Sequence, residues 1–198
     1  METSLSGDSP RQNSKFQNFK LKTWTETGVL FLLLVISRLI PHPPNATAVN
    51  AVAWGIKEKF RGSGAVVVIA GLIVSDIFIG FYDWRLLISV YGSFVLIALF
   101  GQCISDNITY TRKTLLSVFA AIFFFLVTNG AVWVLSSWYP HTFAGLLACY
   151  VAGFPFLRNM IIGDIAYFSV IHVVKKFRVY DSSLAIRTVA IKSTVRPI

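Results

Sequence analysis

At 198 residues, 55% hydrophobic and only 14% charged, with a mean hydropathy of +0.66, the chain cannot hide its apolar side chains inside one soluble domain. The net charge of +9 does not mark a nucleic-acid binder, because the basic residues sit at the termini and between apolar runs, where membrane topology is set. Two cysteines, Cys103 and Cys149, each in apolar company, exclude a disulfide framework and a metal-ligand spacing.

In chain order, residues 1–22 are polar and read as a disordered cytoplasmic tail carrying Arg11, Lys15, Lys20 and Lys22. Helix one is predicted from Trp24 to Ile40, where Pro41-His42-Pro43-Pro44 stops it, and no signal-peptide cleavage site follows. Helix two is short, Asn45 to Phe60, and ends on Lys57-Glu58-Lys59. Helix three runs from Gly64 to Phe81, helix four from Trp84 to Gly101, and helix five from Lys113 to Ser137. The stretch Phe143–Gly153 is too short to cross a hydrocarbon core alone. It reads as a re-entrant or surface segment over the bundle, a lid with Tyr139 and Phe143 near its hinge and Tyr150 or Phe154 towards a ligand. Pro155 starts helix six, which runs to Val174. The transmembrane domain therefore covers 23–176, and 177–198 form a basic cytoplasmic tail.

Charge decides whether helix two crosses. If it does, 15 of the 18 Lys and Arg residues share one side, and otherwise the positive charge is split between faces. The expectation is an all-α membrane protein, a compact bundle of six transmembrane helices with both termini cytoplasmic, multi-pass in the cell (inner) membrane.

Ionisable side chains within a bilayer are costly and face a bundle interior or a cavity. Arg38, Asp76, Arg158, Asn159 and Asp164 fall within or beside the predicted spans, as do Asn45, Asn50, Asn129 and Trp133. Most gather in the outer half, the pattern of a few polar anchors in an aromatic hollow for a small polar solute. The competing readings are structural. Arg38 snorkels to the headgroups, Asp76 and Asp164 pair with Arg38 and Arg158, the asparagines bond helices together, and the tryptophans form an interfacial belt. His42 and His141 are loop residues without a catalytic partner. Catalytic, metal and nucleotide signatures are all missing, so neither an enzyme nor a cofactor is expected.

Several motifs recur together: Arg38-Leu39-Ile40-Pro41-His42-Pro43-Pro44-Asn45, Ala51-Val52-Ala53, Ser75-Asp76-Ile77-Phe78-Ile79-Gly80, Thr128-Asn129-Gly130-Ala131-Val132-Trp133, Tyr139-Pro140-His141-Thr142-Phe143-Ala144-Gly145-Leu146 and Pro155-Phe156. Over residues 26–174 the chain resembles a family of small bacterial membrane proteins of unassigned function. That family is itself similar to the substrate-binding S components of energy-coupling-factor (ECF) transporters. The resemblance implies an S-component-like six-helix fold that binds a vitamin-like micronutrient, through Arg38, Asn45, Asp76, Asn129, Trp133 and Asn159. It also implies an ECF coupling subunit and ATPases as partners. The small-residue docking motif those partners use on helix one is not evident, since Gly28-Val29-Leu30-Phe31-Leu32-Leu33-Leu34-Val35 is bulky after its glycine. The open alternatives are a solitary transporter, a structural or scaffolding membrane protein, and, last, an intramembrane enzyme.

Overall fold

Prolines, glycines and short polar caps set the boundaries of six helices in a computed structural model. It describes the backbone of residues 10–57, 63–103 and 109–194, and side chains over 25–53, 64–103 and 109–174. The helices are α1 (Pro10–Leu39), α2 (Val49–Lys57), α3 (Ser63–Ile79), α4 (Trp84–Cys103), α5 (Tyr110–Leu135) and α6 (Phe143–Thr194). The segment 10–22, expected as a tail, is helical and continuous with α1. The expected end of helix two at Glu58–Phe60 lies outside the described residues, as does residue 61.

α1 stops at the proline cluster. The turn beyond it folds back, the Ala48 N–H donating to Ser37 Oγ at 3.1 Å and Asn45 sitting at φ 67°, a region asparagine tolerates. Gly80, at φ 102°, ends α3. Asp83 caps α4 by accepting from the Arg85 N–H at 2.8 Å, and its carboxylate also takes the Arg85 guanidinium at 3.0 Å. Those hydrogen bonds hold the Asp83 carboxyl below its ordinary range. Thr142 caps α6, its Oγ1 accepting from the Gly145 N–H at 3.2 Å.

The outer surface is far more apolar than that of a water-soluble fold. Large apolar side chains are exposed along every long helix, among them Leu32, Val66, Phe100, Phe119 and Ile162, while Asn50, Ser75, Asp76, Ser93, Ser117 and Asp164 are buried. Such a surface is unfavourable in water and suits hydrocarbon. The protein is largely helical and membrane-associated.

The expectation of six crossing helices is not met. Among the described residues three helices are long and apolar enough to cross: Trp84–Cys103, Tyr110–Leu135 and Phe143–Val174. α2, with nine residues, reaches about 14 Å at 1.5 Å per residue, under half of a hydrocarbon core of about 30 Å. It is a central plug instead. It touches all five other helices, and Val49, Asn50, Ala51, Val52 and Ala53 are all buried. α3, with 17 residues, also falls short of the usual 20.

The re-entrant or surface segment is likewise corrected. Phe143–Gly153 forms the first turns of α6, which continues through Pro155 without a break in the helix. Apolar residues on both sides of Pro155 supply one long stretch, and the proline removes only one helical N–H. The segment is no hinged lid: Phe143 is 82% and Phe154 61% exposed, facing away from the interior, and Tyr150 bonds to the Leu126 carbonyl at 2.8 Å.

Around α2 the core joins Leu34, Val52, Val68, Leu72, Phe94, Ile97, Phe124 and Met160, with the Phe94 and Phe124 rings 4.5 Å apart. Small residues permit close approach between helices. Gly163 is such a point, since a methyl group there would lie 2.9 Å from Ala46 Cα.

Candidate functional site

The ends of α1, α3 and α5 and the starts of α4 and α6 meet at one pole of the bundle. Beneath the connecting turns lies a cavity of about 420 Å³, within the range of small-molecule sites. Its rim comes from Arg38 at the end of α1, Asn45 and Thr47 in the following turn, Tyr82 in the α3–α4 connection, and Trp138 and Tyr139 in the α5–α6 connection. Phe94, Phe124, Phe125, Phe156 and Met160 form apolar walls below, with Thr128 and Asn129 on one side.

Arg38, at the end of α1, is held by two side chains of α3. Its Nε donates to Ser75 Oγ at 2.7 Å, and its Nη2 donates to Asp76 Oδ1 in an ion pair. The second Asp76 oxygen accepts from Tyr91 Oη at 2.7 Å. Asp76 is buried and its hydrogen-bonding capacity is taken up inside the bundle, so it acts on the cavity through Arg38. Among the described residues the Arg38 Nη1 group, which belongs to a cavity-lining side chain, has no hydrogen-bond acceptor. Among the same residues the side chains of Asn45 and Thr47 and the hydroxyls of Tyr82 and Tyr139 have no partner on the cavity rim. Partial burial raises the Tyr82 phenol above its ordinary value, with the Asp76 carboxylate adding to the rise and Arg38 opposing it.

Of the residues singled out by sequence, Arg38, Asn45 and Asn129 line the cavity. Asn129 donates back to the Phe125 carbonyl at 2.9 Å and packs its oxygen against Gly153, where a methyl group would approach to 2.3 Å. The other six positions, Asn50 included, stand elsewhere. Trp133 donates from Nε1 to the Pro140 carbonyl at 3.1 Å and packs edge-on against His141. Arg158 is exposed on α6, and Asn159 is half-buried away from the cavity wall. Asp76 sits behind Arg38. Asp164 is buried against α2, where it accepts from Asn50 Nδ2 at 2.9 Å, and it makes no pair with Arg158. Trp138 was read with the interfacial belt, and Thr47, Tyr82 and the buried phenylalanines were not singled out. They carry no polar anomaly in a linear reading, and only their convergence on one hollow marks them.

Chemically, the site offers one arginine donor whose charge is balanced by Asp76, several unpaired amide and hydroxyl groups, and seven aromatic rings. Among the described residues no three His, Cys, Asp or Glu side chains cluster as metal ligands.

No curated protein and no solved structure matches the chain, and neither comparison ties it to ECF S components. Residues 17–182 match the model of a family described as "Family of unknown function (DUF6580)", and the chain belongs to that family.

Proposed function

We propose that the protein binds a small polar solute carrying a flat ring in the cavity at this pole, as the solute-binding subunit of a membrane transport process or as a solitary carrier. The observation that carries the reading is the set of unpaired polar groups on an aromatic-lined hollow of about 420 Å³. Charge narrows the solute class. The cavity has one cation, already balanced by Asp76, so it suits a neutral or singly anionic molecule rather than a polyphosphate.

The cavity mouth faces the outer side in this proposal. Arg112 and Lys113 begin α5 at the opposite pole, towards which the basic chain ends run. An energising partner, such as an ECF coupling subunit with its ATPases, belongs to the same proposal and would act from that basic pole.

Native mass spectrometry of the purified protein tests the reading. A co-purifying small molecule is expected. Asn45→Gly should weaken its retention about tenfold, a loss of about 1.4 kcal/mol, close to that of one hydrogen bond. Glycine suits the positive φ at this position, so folding is preserved. A protein that carries no solute and gains no thermal stability from any of a broad set of ring-bearing polar metabolites would overturn the proposal.

A further inference from the structure

One buried polar pair takes no part in the cavity's hydrogen-bonding rim. Asn50 and Asp164 are each 1% exposed, and Asn50 Nδ2 donates to Asp164 Oδ2 at 2.9 Å. The remaining acceptors, Asn50 Oδ1 and Asp164 Oδ1, are buried without a hydrogen-bond partner. An ionised carboxylate here would be a buried charge with one oxygen left without a partner, a costly arrangement in a protein interior. α6 packs against α5 and α2. Among the described residues Asp164 pairs with no charged side chain, and its hydrogen-bond partner is the Asn50 amide. The Arg38–Asp76 and Arg85–Asp83 ion pairs do not include it.

A carboxylic acid removes the difficulty with a single hydrogen. Protonated at Oδ1, Asp164 is neutral and gains a donor for a neighbouring acceptor, while Oδ2 goes on accepting from the amide. The pair is also close to the cavity. Asp164 lies four residues beyond the cavity-lining Met160 on one face of α6, and Asn50 lies three residues beyond the cavity-lining Thr47. Gly163 allows the backbone of α6 to approach Ala46, which sets these two segments in register.

We propose that the Asn50–Asp164 pair is a proton-binding site: Asp164 holds a proton in this conformation and exchanges it with water through the cavity one helical turn away. The step is a plain association, carboxylate plus a proton from water giving the carboxylic acid. Such a site supplies a solute carrier with a coupling ion, and it stands whether or not the solute reading above is right.

Infrared spectroscopy of the full chain in detergent tests it directly. At neutral pH the protein should show a carboxylic-acid carbonyl band that is lost in Asp164→Asn and retained in Asp76→Asn. The band should shift on transfer to D2O. If Asp164→Asn does not fold, Asn50→Val serves instead, moving the same band to higher frequency by removing its hydrogen bond. No acid band at neutral pH would overturn the proposal. So would a band that appears only when sodium is removed, which would make the pair a metal-cation site. A band that never shifts in D2O would make Asp164 a sealed structural acid and would also overturn it.

Discussion

Arg38 shows how a single side chain divides its chemistry between structure and site. Two of its nitrogens bind Ser75 and Asp76, and the third is left for the cavity. Removing one partner of a buried pair leaves an uncompensated charge and typically costs 3–5 kcal/mol, roughly. Asp76→Ala should therefore lower thermal stability in detergent well below that of the Arg38→Ala, Asp76→Ala double variant, whereas Asp76→Asn retains an acceptor for Tyr91 and folds. Equal losses for the single and double alanine variants would show that the pair contributes nothing. Glycines give a second residue-scale contrast. A methyl group at Gly145 would lie 2.0 Å from the Pro140 carbonyl oxygen, so Gly145→Ala should destabilise by about 1–3 kcal/mol. Gly92 has no atom within 4 Å of that position, and Gly92→Ala in the middle of α4 should instead stabilise by about 1 kcal/mol. Melting curves followed by fluorescence-detected size exclusion distinguish the two.

At the scale of elements, α2 is the member most sensitive to volume. It is surrounded on all sides, and Ala51 is 0% exposed. Interiors packed this closely have no room for added methylenes. Ala51→Leu should reduce the yield of monodisperse protein and lower its melting temperature, while Leu99→Phe on the lipid-facing side of α4 should leave both near those of the parent. If Ala51→Leu is tolerated as well as Leu99→Phe, α2 is not the packed centre described above. Charge counting favoured a sixth crossing because Lys57 at the end of α2 resembles a loop determinant in sequence, but a helix of nine residues does not itself span a hydrocarbon core.

For the whole molecule, the proposed orientation makes the two poles chemically distinguishable. In a background lacking Cys103 and Cys149, a cysteine at His141 on the cavity pole should react with a membrane-impermeant thiol reagent added to intact cells. A cysteine at Arg112 should react only after the membrane is opened. Both positions are exposed, so a difference reports sidedness rather than burial. The reverse pattern would place the cavity on the inner face and end the uptake reading.

By itself the sequence determined the medium and the materials. Its hydropathy required a bilayer, its prolines at 41, 43 and 44 ended α1, and its embedded Arg38, Asp76 and Asp164 announced an interior that had to satisfy charge. These are properties of single residues and short runs, which local sterics and transfer free energies dictate without reference to partners. The tertiary structure decided the rest. Apolarity cannot distinguish a short span from a buried plug, since both are apolar, and α2 became a plug only because five helices surround it. Continuity of α6 through Pro155 was hidden for a similar reason, because proline is compatible with either a helix start or a helix interior. Which carboxylate met which partner was settled by helix packing alone. Asp76 took Arg38 and Tyr91, and Asp164, 114 positions away in sequence from Asn50, met that amide instead of Arg158, because hydrogen bonds at such separations depend on how helices dock and leave no trace in local pattern.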